Sequence, residues 1–255
     1  MMNENPGSFR VPEKIYFKKG CLPVALEELK YVYHNQKVLV VTDPDLQKQG
    51  KLKLITDKFN ELGITYAIHD VNTGMTNAVR IFEPDCILAF GEEVLMSLVS
   101  NLFNLFIADK KIYLITVPCF AGMYSQVQPI SSDMVIIDTD LMDNAPDMIR
   151  RFIRGALYQA INACDSPYAT DYSDSMAIQA IHLIFAYLPE VLENPNHAYA
   201  MEKLASAGTM AGIAHFNAHA RTSFDKSENH ARCAELLGMD LETFTRKLEE
   251  IAKLY

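Results

Sequence analysis

The chain has 255 residues, 49% of them hydrophobic and 22% charged, and a formal net charge of −9. That is length for one large domain or two modest ones with a real core, and the acidic balance argues against nucleic acid or an anionic membrane as the main partner, since both select cationic surfaces. No apolar run reaches the length of a membrane span, and the opening MMNENPGSFRVPEK lacks the basic and apolar regions of a secretory signal.

Five widely spaced cysteines with no CxxC pair argue against a zinc knuckle or a disulfide framework and for reduced thiols in a cytoplasmic protein. The first half of the chain alternates. KVLVVTD (37–43) is a valine-rich apolar run and predicts a buried parallel strand. LQKQGKLKLITDKFNEL (46–62) has helical spacing, with Gly63 as its stop. Strands follow at 65–71, 86–91, 111–118 and 133–141, with an apolar helix from about 92 to 106. The connection NTGMTNAVRIFEP (72–84) is short for a crossover between parallel strands. The second half carries no strand signal. Helices are predicted over 145–164, 174–193, 198–220 and 230–238, and a C-terminal helix puts Leu241, Phe244, Leu248, Ile251 and Tyr255 on one face behind an Asp240 cap. The helix at 174–193 is apolar nearly all round, which predicts a core position. This pattern predicts an α/β fold: a Rossmann-like, doubly wound parallel domain over 1–145, then an all-helical domain over 146–255.

DCILAFGEEVLMS (85–97) poses a chemical question. A buried strand ends in glycine, as before a phosphate-binding turn, yet Glu92 and Glu93 follow. A carboxylate about 4 Å from a phosphate costs roughly 4 kcal/mol at an effective dielectric near 20. The same two glutamates can instead cap the helix they precede, where negative charge is favourable. A helix end neutralised in this way is a poor anion site.

FRVPEKIYFKKGCLPVALEELK, KVLVVTD, FEPDCILAFG, SSDMVIIDTDLM and ASAGTMAGIAHFNAHA, taken in order, resemble the iron-containing (group III) alcohol dehydrogenases, and among them the alcohol dehydrogenase half of the bifunctional aldehyde-alcohol dehydrogenases. The resemblance implies a Rossmann-like domain followed by a helical one, with NAD(P) and a divalent metal, usually iron, between them. It places cofactor-binding positions at Asp43, Gly91, Gly122 and Ser125. Asp43 also reads as a residue opening a turn before Pro44. Of the family's phosphate loop after the third strand only Gly91 remains, and in CFAGMYSQ (119–126) only Gly122 and Ser125 match. The metal ligands fall on Tyr158, Asn162 and Phe224, and neither a phenol nor an amide replaces a carboxylate or an imidazole at a divalent cation. Stretches of the family pattern are also missing, including a piece between Ile130 and Ser131 and much of the helical domain.

The resemblance with these departures implies a shortened, degenerate homologue: non-catalytic, with no cofactor expected, NAD bound weakly if at all, and no iron or zinc. Its role is then binding, as a homo-oligomer or in a hetero-complex with an intact homologous dehydrogenase. The alternative is an NAD-linked alcohol or aldehyde oxidoreductase with an unusual or metal-independent site. Three further features stay open. His215 and His219 are four apart on the helix expected at 198–220 and, with His230, can form a new metal site or be ordinary helix histidines. Cys119, just past a strand, is a nucleophile or a small apolar residue. RRFIR (150–154) pairs with local carboxylates or rims an interface.

Overall fold

In a computed structural model, residues 8–103, 111–119, 132–142, 144–219 and 230–254 are described. The first half runs β1 (Lys14–Phe17), α1 (Leu22–Tyr31), β2 (Lys37–Thr42), α2 (Pro44–Lys48), α3 (Leu52–Leu62), β3 (Thr65–Asp70), α4 (Met75–Phe82), β4 (Cys86–Gly91), α5 (Glu93–Phe103), β5 (Tyr113–Pro118) and β6 (Met134–Ile137). The six strands form one sheet in the order β1-β6-β5-β4-β2-β3, every neighbouring pair parallel. The central strands read as continuous apolar runs because both faces are covered: every residue of β4 is buried. The short connection at 72–84 holds the two turns of α4 and carries the chain from β3 past β2 to β4.

Local chemistry sets the element ends. α3 buries Leu52, Ile55, Phe59 and Leu62 on one stripe and stops at Gly63, whose φ of 65° lets the Ile64 N–H reach back to the Phe59 carbonyl at 2.9 Å. The single helix expected over 46–62 is two helices, parted at Gly50 with φ of 78°. β1 was not expected as a strand; its four residues pair with β6 at the sheet edge. β6 ends at Ile137 and not at 141 because Asp138 turns away to serve the β1–α1 connection. Its carboxylate accepts the N–H groups of Gly20 and Leu22, both at 2.9 Å.

The second half is α6 (Pro146–Asp165), α7 (Asp171–Glu193), α8 (Ala198–Asn217), α9 (Ala231–Leu236) and α10 (Leu241–Ala252). α6, α7 and α8 pack on one another around Ala156, Ala160, Ala177, Ile181, Leu204 and Ala211, and this second core also takes Val135 and Ile137 from β6. Small residues at the crossings let the helix axes approach closely. α7 opens with a reciprocal cap, Thr170 and Ser173 each bonding the other's backbone N–H.

The core position expected for the 174–193 helix holds for one face, centred on Ala177, Ile181, Ile184 and Leu188. Met176, Leu183 and Phe185 on its flanks are half-buried. Among the described residues α7 is also the helix long and apolar enough to cross a membrane, a length absent from the plain reading of the sequence. Here its buried face lies against α6 and α8. α10 folds back on its own chain, burying Phe244 and Ile251. Near the other end of the chain, Asn217 at the end of α8 accepts the Arg10 N–H at 2.7 Å and donates to the Arg10 carbonyl at 2.8 Å.

Candidate functional site

The strand order reverses between β2 and β4: from β2 the chain goes outward to β3, then returns to the other side of β2 and continues through β4, β5 and β6. Ligands of open parallel sheets bind outside the carboxyl ends of the strands at such a reversal. Here that edge carries Asp43 and Gly91, each one residue past the registered pair Thr42–Phe90. Two of the four residues singled out for cofactor binding are therefore neighbours. The other two, Gly122 and Ser125, lie outside the described residues, as does the break between Ile130 and Ser131.

The two neighbours have local duties. Asp43 is the N-cap of α2, its Oδ1 accepting the Asp45 N–H at 2.8 Å. Beside it the Thr42 hydroxyl is buried with no hydrogen-bond partner. At Gly91 a Cβ would stand 2.8 Å from Leu95 Cδ1 and 3.3 Å from Leu95 Cβ and Cγ. Leu95, buried one turn into α5, thus lies directly on the Gly91 backbone. The Glu92 carbonyl accepts the Met96 N–H at 3.0 Å, so Glu92 opens the helix and its charge stands at the N-terminal end. The glycine is needed for close approach of helix and strand, and the space over it is filled by an aliphatic side chain. A pyrophosphate approaching this turn would meet that side chain and a helix that opens on glutamate. Leu95 was missed in the sequence, although its place four residues after Gly91 puts it one helical turn above that glycine.

The positions that resemble metal ligands fare no better as a metal centre. Tyr158 and Asn162 are half-buried on α6, and Tyr158 has the Arg154 guanidinium 5.9 Å from its ring centroid. Phe224 lies outside the described residues. The polar side chain that α6 does bury is Gln159, whose Oε1 has no hydrogen-bond partner. A neutral amide and a phenol are weak donors for iron or zinc. Among the described residues no group of three or more His, Cys, Asp or Glu side chains is placed to hold a metal ion.

His215 and His219 do not share a helix face, contrary to the sequence expectation. α8 ends at Asn217, and His219 sits beyond it at φ of 46° with its ring edge-on to Tyr168. His215 is buried inside α8. His230 turns elsewhere: its Nδ1 is 3.0 Å from Asp165 Oδ2 at the end of α6. His230 also lines a cavity of about 260 Å³ with Leu157, Tyr158, Ile161, Leu248 and Ile251. Cys119 is fully buried, its N–H donating to the Gly91 carbonyl at 3.1 Å, which is the setting of a small core residue. Within RRFIR, Arg150 pairs with Asp147 at 2.8 Å and donates to the Leu254 carbonyl at 2.6 Å, so it helps hold α10 in place.

A larger apolar hollow of about 290 Å³ lies along the β1 edge, between Phe17, Ile137, Met176, Leu183, Met210 and Ile213. Phe17 is 65% exposed.

Comparison with known proteins places this architecture. The sequence pattern of the Fe-containing alcohol dehydrogenase family, C-terminal part, matches residues 155–225. The aldehyde-alcohol dehydrogenase of Clostridium acetobutylicum is 30% identical over 270 aligned positions, which take in 84% of this chain and 31% of the relative. The bifunctional aldehyde-alcohol dehydrogenase of Escherichia coli is 27% identical over 84% of this chain and 30% of its own length. The chain therefore spans about a third of the length of these relatives. The first alignment is longer than the chain itself, so the relative carries internal segments with no counterpart here. Among solved structures, a 1,3-propanediol oxidoreductase superposes with a TM-score of 0.80 at 21% identity, and an alcohol dehydrogenase from Oenococcus oeni with 0.81 at 17%. Each match covers 98% of this chain and 86% of the solved one. The parallel sheet with its switch point, the helical half that follows and the matches in both halves have one reading: the chain belongs to the iron-containing alcohol dehydrogenase family.

Proposed function

We propose that this chain is a non-catalytic member of its family, acting through binding, either as a homo-oligomer or in a complex with an intact homologous dehydrogenase. The turn after β4 carries the proposal. Leu95 lies on Gly91 and Glu92 opens α5, which leaves neither the space nor the charge for a dinucleotide phosphate. Tyr158, Asn162 and Gln159 on α6 offer no strong donor to a divalent cation. A sulfoacetaldehyde reductase from Bifidobacterium kashiwanohense with this fold was solved with NAD+ bound, at 17% identity to this chain. The same ligand is therefore the natural probe. The assembly half of the proposal is supported by the apolar hollow beside the edge strand β1, a surface of the kind that partners cover.

A second reading, an NAD-linked oxidoreductase without the metal, draws on Thr42 and Asp43: an unpartnered hydroxyl and a carboxylate beside the switch point suit a ribose. Calorimetric titration with NADH separates the two. The non-catalytic reading expects no saturable heat in the micromolar range and no aldehyde reduction with added iron or zinc. Glu92→Gly with Glu93→Gly should raise affinity for NADH above that of the parent, by removing like charge. Micromolar binding by the parent, with metal-dependent turnover, would overturn the proposal.

A further inference from the structure

Two of the four fully buried cysteines lie on different helices that pack on each other. Cys164 is the second-last residue of α6 and Cys233 is the third of α9; both are 0% exposed and belong to the same core cluster, where α9 packs on α6. Their backbones are held on both sides of that contact. Asp165, next to Cys164, meets His230, the residue before α9, at 3.0 Å. Arg232, next to Cys233, donates one guanidinium N–H to the Cys164 carbonyl and grips Asp174 of α7 through two more contacts, at 2.5 and 3.1 Å. One turn of α9 is thus clamped onto the end of α6 by neighbours of both sulfurs. Once one of two cysteines held in this way carries a mixed disulfide, attack by the other is intramolecular and outruns exchange with a further separate molecule.

We propose that Cys164 and Cys233 are a latent disulfide, closed by exchange with a small-molecule disulfide and then fixing α9, and with it α10, to α6. In the reaction one cysteine loses its proton to solvent, and its thiolate attacks the small disulfide. That expels one small thiolate, which takes up a proton, and leaves a mixed disulfide. The second cysteine, also giving up its proton, attacks the protein sulfur of that adduct and expels the second small thiol. One S–S bond is broken and one formed. Two electrons pass from the cysteines to the small disulfide, which leaves as two thiols. Neither thiol is open to solvent, and the neighbouring Cys164 thiol, followed by burial, holds Cys233 well above the ordinary thiol range. Exchange therefore waits for α9 to lift from α6, so this site responds to opening of the helix end and not to brief exposure.

The test uses the full chain and hydroxyethyl disulfide, with and without urea below the unfolding transition. The expected result is a species lighter than the reduced protein by two hydrogens, forming faster as urea is raised, and a cross-linked peptide pair containing Cys164 and Cys233. Reduction should restore the parent mass. Cys164→Ser and Cys233→Ser should each stop at the adduct of the remaining thiol without cross-linking. Because the mapping is done on the unaltered protein, a variant that fails to fold leaves the test intact. Cross-links to other cysteines, or adducts on both thiols with no cross-link, would overturn the proposal, as would two free thiols after prolonged incubation.

Discussion

At Gly91 a single missing Cβ lets α5 sit on β4, and the residue that needs the room is Leu95. Gly91→Ala should destabilise the fold by about 1–3 kcal/mol, since the added methyl must push an aliphatic side chain out of its place in a packed core. Urea denaturation measures this, and Leu95→Ala in the same chain should recover part of the loss. The sequence made Gly91 legible as the end of a strand. It did not reveal why glycine stands there, because the contact depends on how the helix leaves the turn. Ionisable side chains carry a second expectation. Burial first, and the Asp138 carboxylate second, push the Cys21 thiol up to about 12 from its ordinary 9, and burial with the hydrogen bond to Glu28 raises the Tyr16 phenol to about 12 from 10. The unfolded chain ionises these groups at lower pH than the folded one does. Their contribution is thus intact below about pH 9 and is lost as pH rises from there toward 12. Urea midpoints taken from about pH 8 to pH 11 should fall, and Cys21→Ala should flatten the early part of that fall. Parallel profiles for the two proteins would refute the assignment to Cys21.

At the level of elements, α9 is six residues long and owes its position to side chains and not to its own helical stability. Arg232 is the main one. Asp174 has a side chain only 9% exposed, and among the described residues Arg232 is the cation that its carboxylate meets. Arg232→Leu should cost about 2–4 kcal/mol, at the lower end because water already reaches the arginine. Changing Asp174→Asn together with Arg232→Leu should cost less than the single arginine change, and a double variant as unstable as the sum would refute the pairing. None of this was visible in sequence, since Asp174 and Arg232 lie on separate helices and only the folded bundle joins them. Elements with strong periodicity were visible. α3, α6 and the central strands appear where apolar spacing puts them, give or take the break at Gly50. β1 was not, because four residues at a sheet edge leave too few alternations to read. The helix expected to run to 220 stops at Asn217, where the side chain turns to Arg10.

For the molecule as a whole, association and fold are separable. Phe17 is exposed at the rim of the hollow along β1, so Phe17→Asp should leave the unfolding free energy of the monomer within about 0.5 kcal/mol of the parent. If this face is where copies or a homologous dehydrogenase meet, light scattering at micromolar concentration should show the parent associated and the variant not. A parent that is monomeric and captures no added homologous dehydrogenase would sink the assembly reading. The architecture was legible from the alternation of strands and helices alone. The site was legible only in outline, because Asp43 and Gly91 become neighbours through strand order, which is a property of the sheet and not of any one segment.

That same order has a consequence for synthesis. Among the described residues β1 pairs only with β6, Lys14 facing Met134, and Asp138 must arrive before the turn after β1 is tied down. A nascent chain extends by roughly 5–20 residues per second, so β1 waits about 6–24 s after leaving the ribosome before its partner follows. Throughout that interval the strand, with Phe17 at its end, is an unpaired edge available to chaperones or to the β1 of a neighbouring polysome product. Expression yield should therefore depend on translation speed through 18–134, and slow codons placed there should lower the soluble fraction without altering the finished protein.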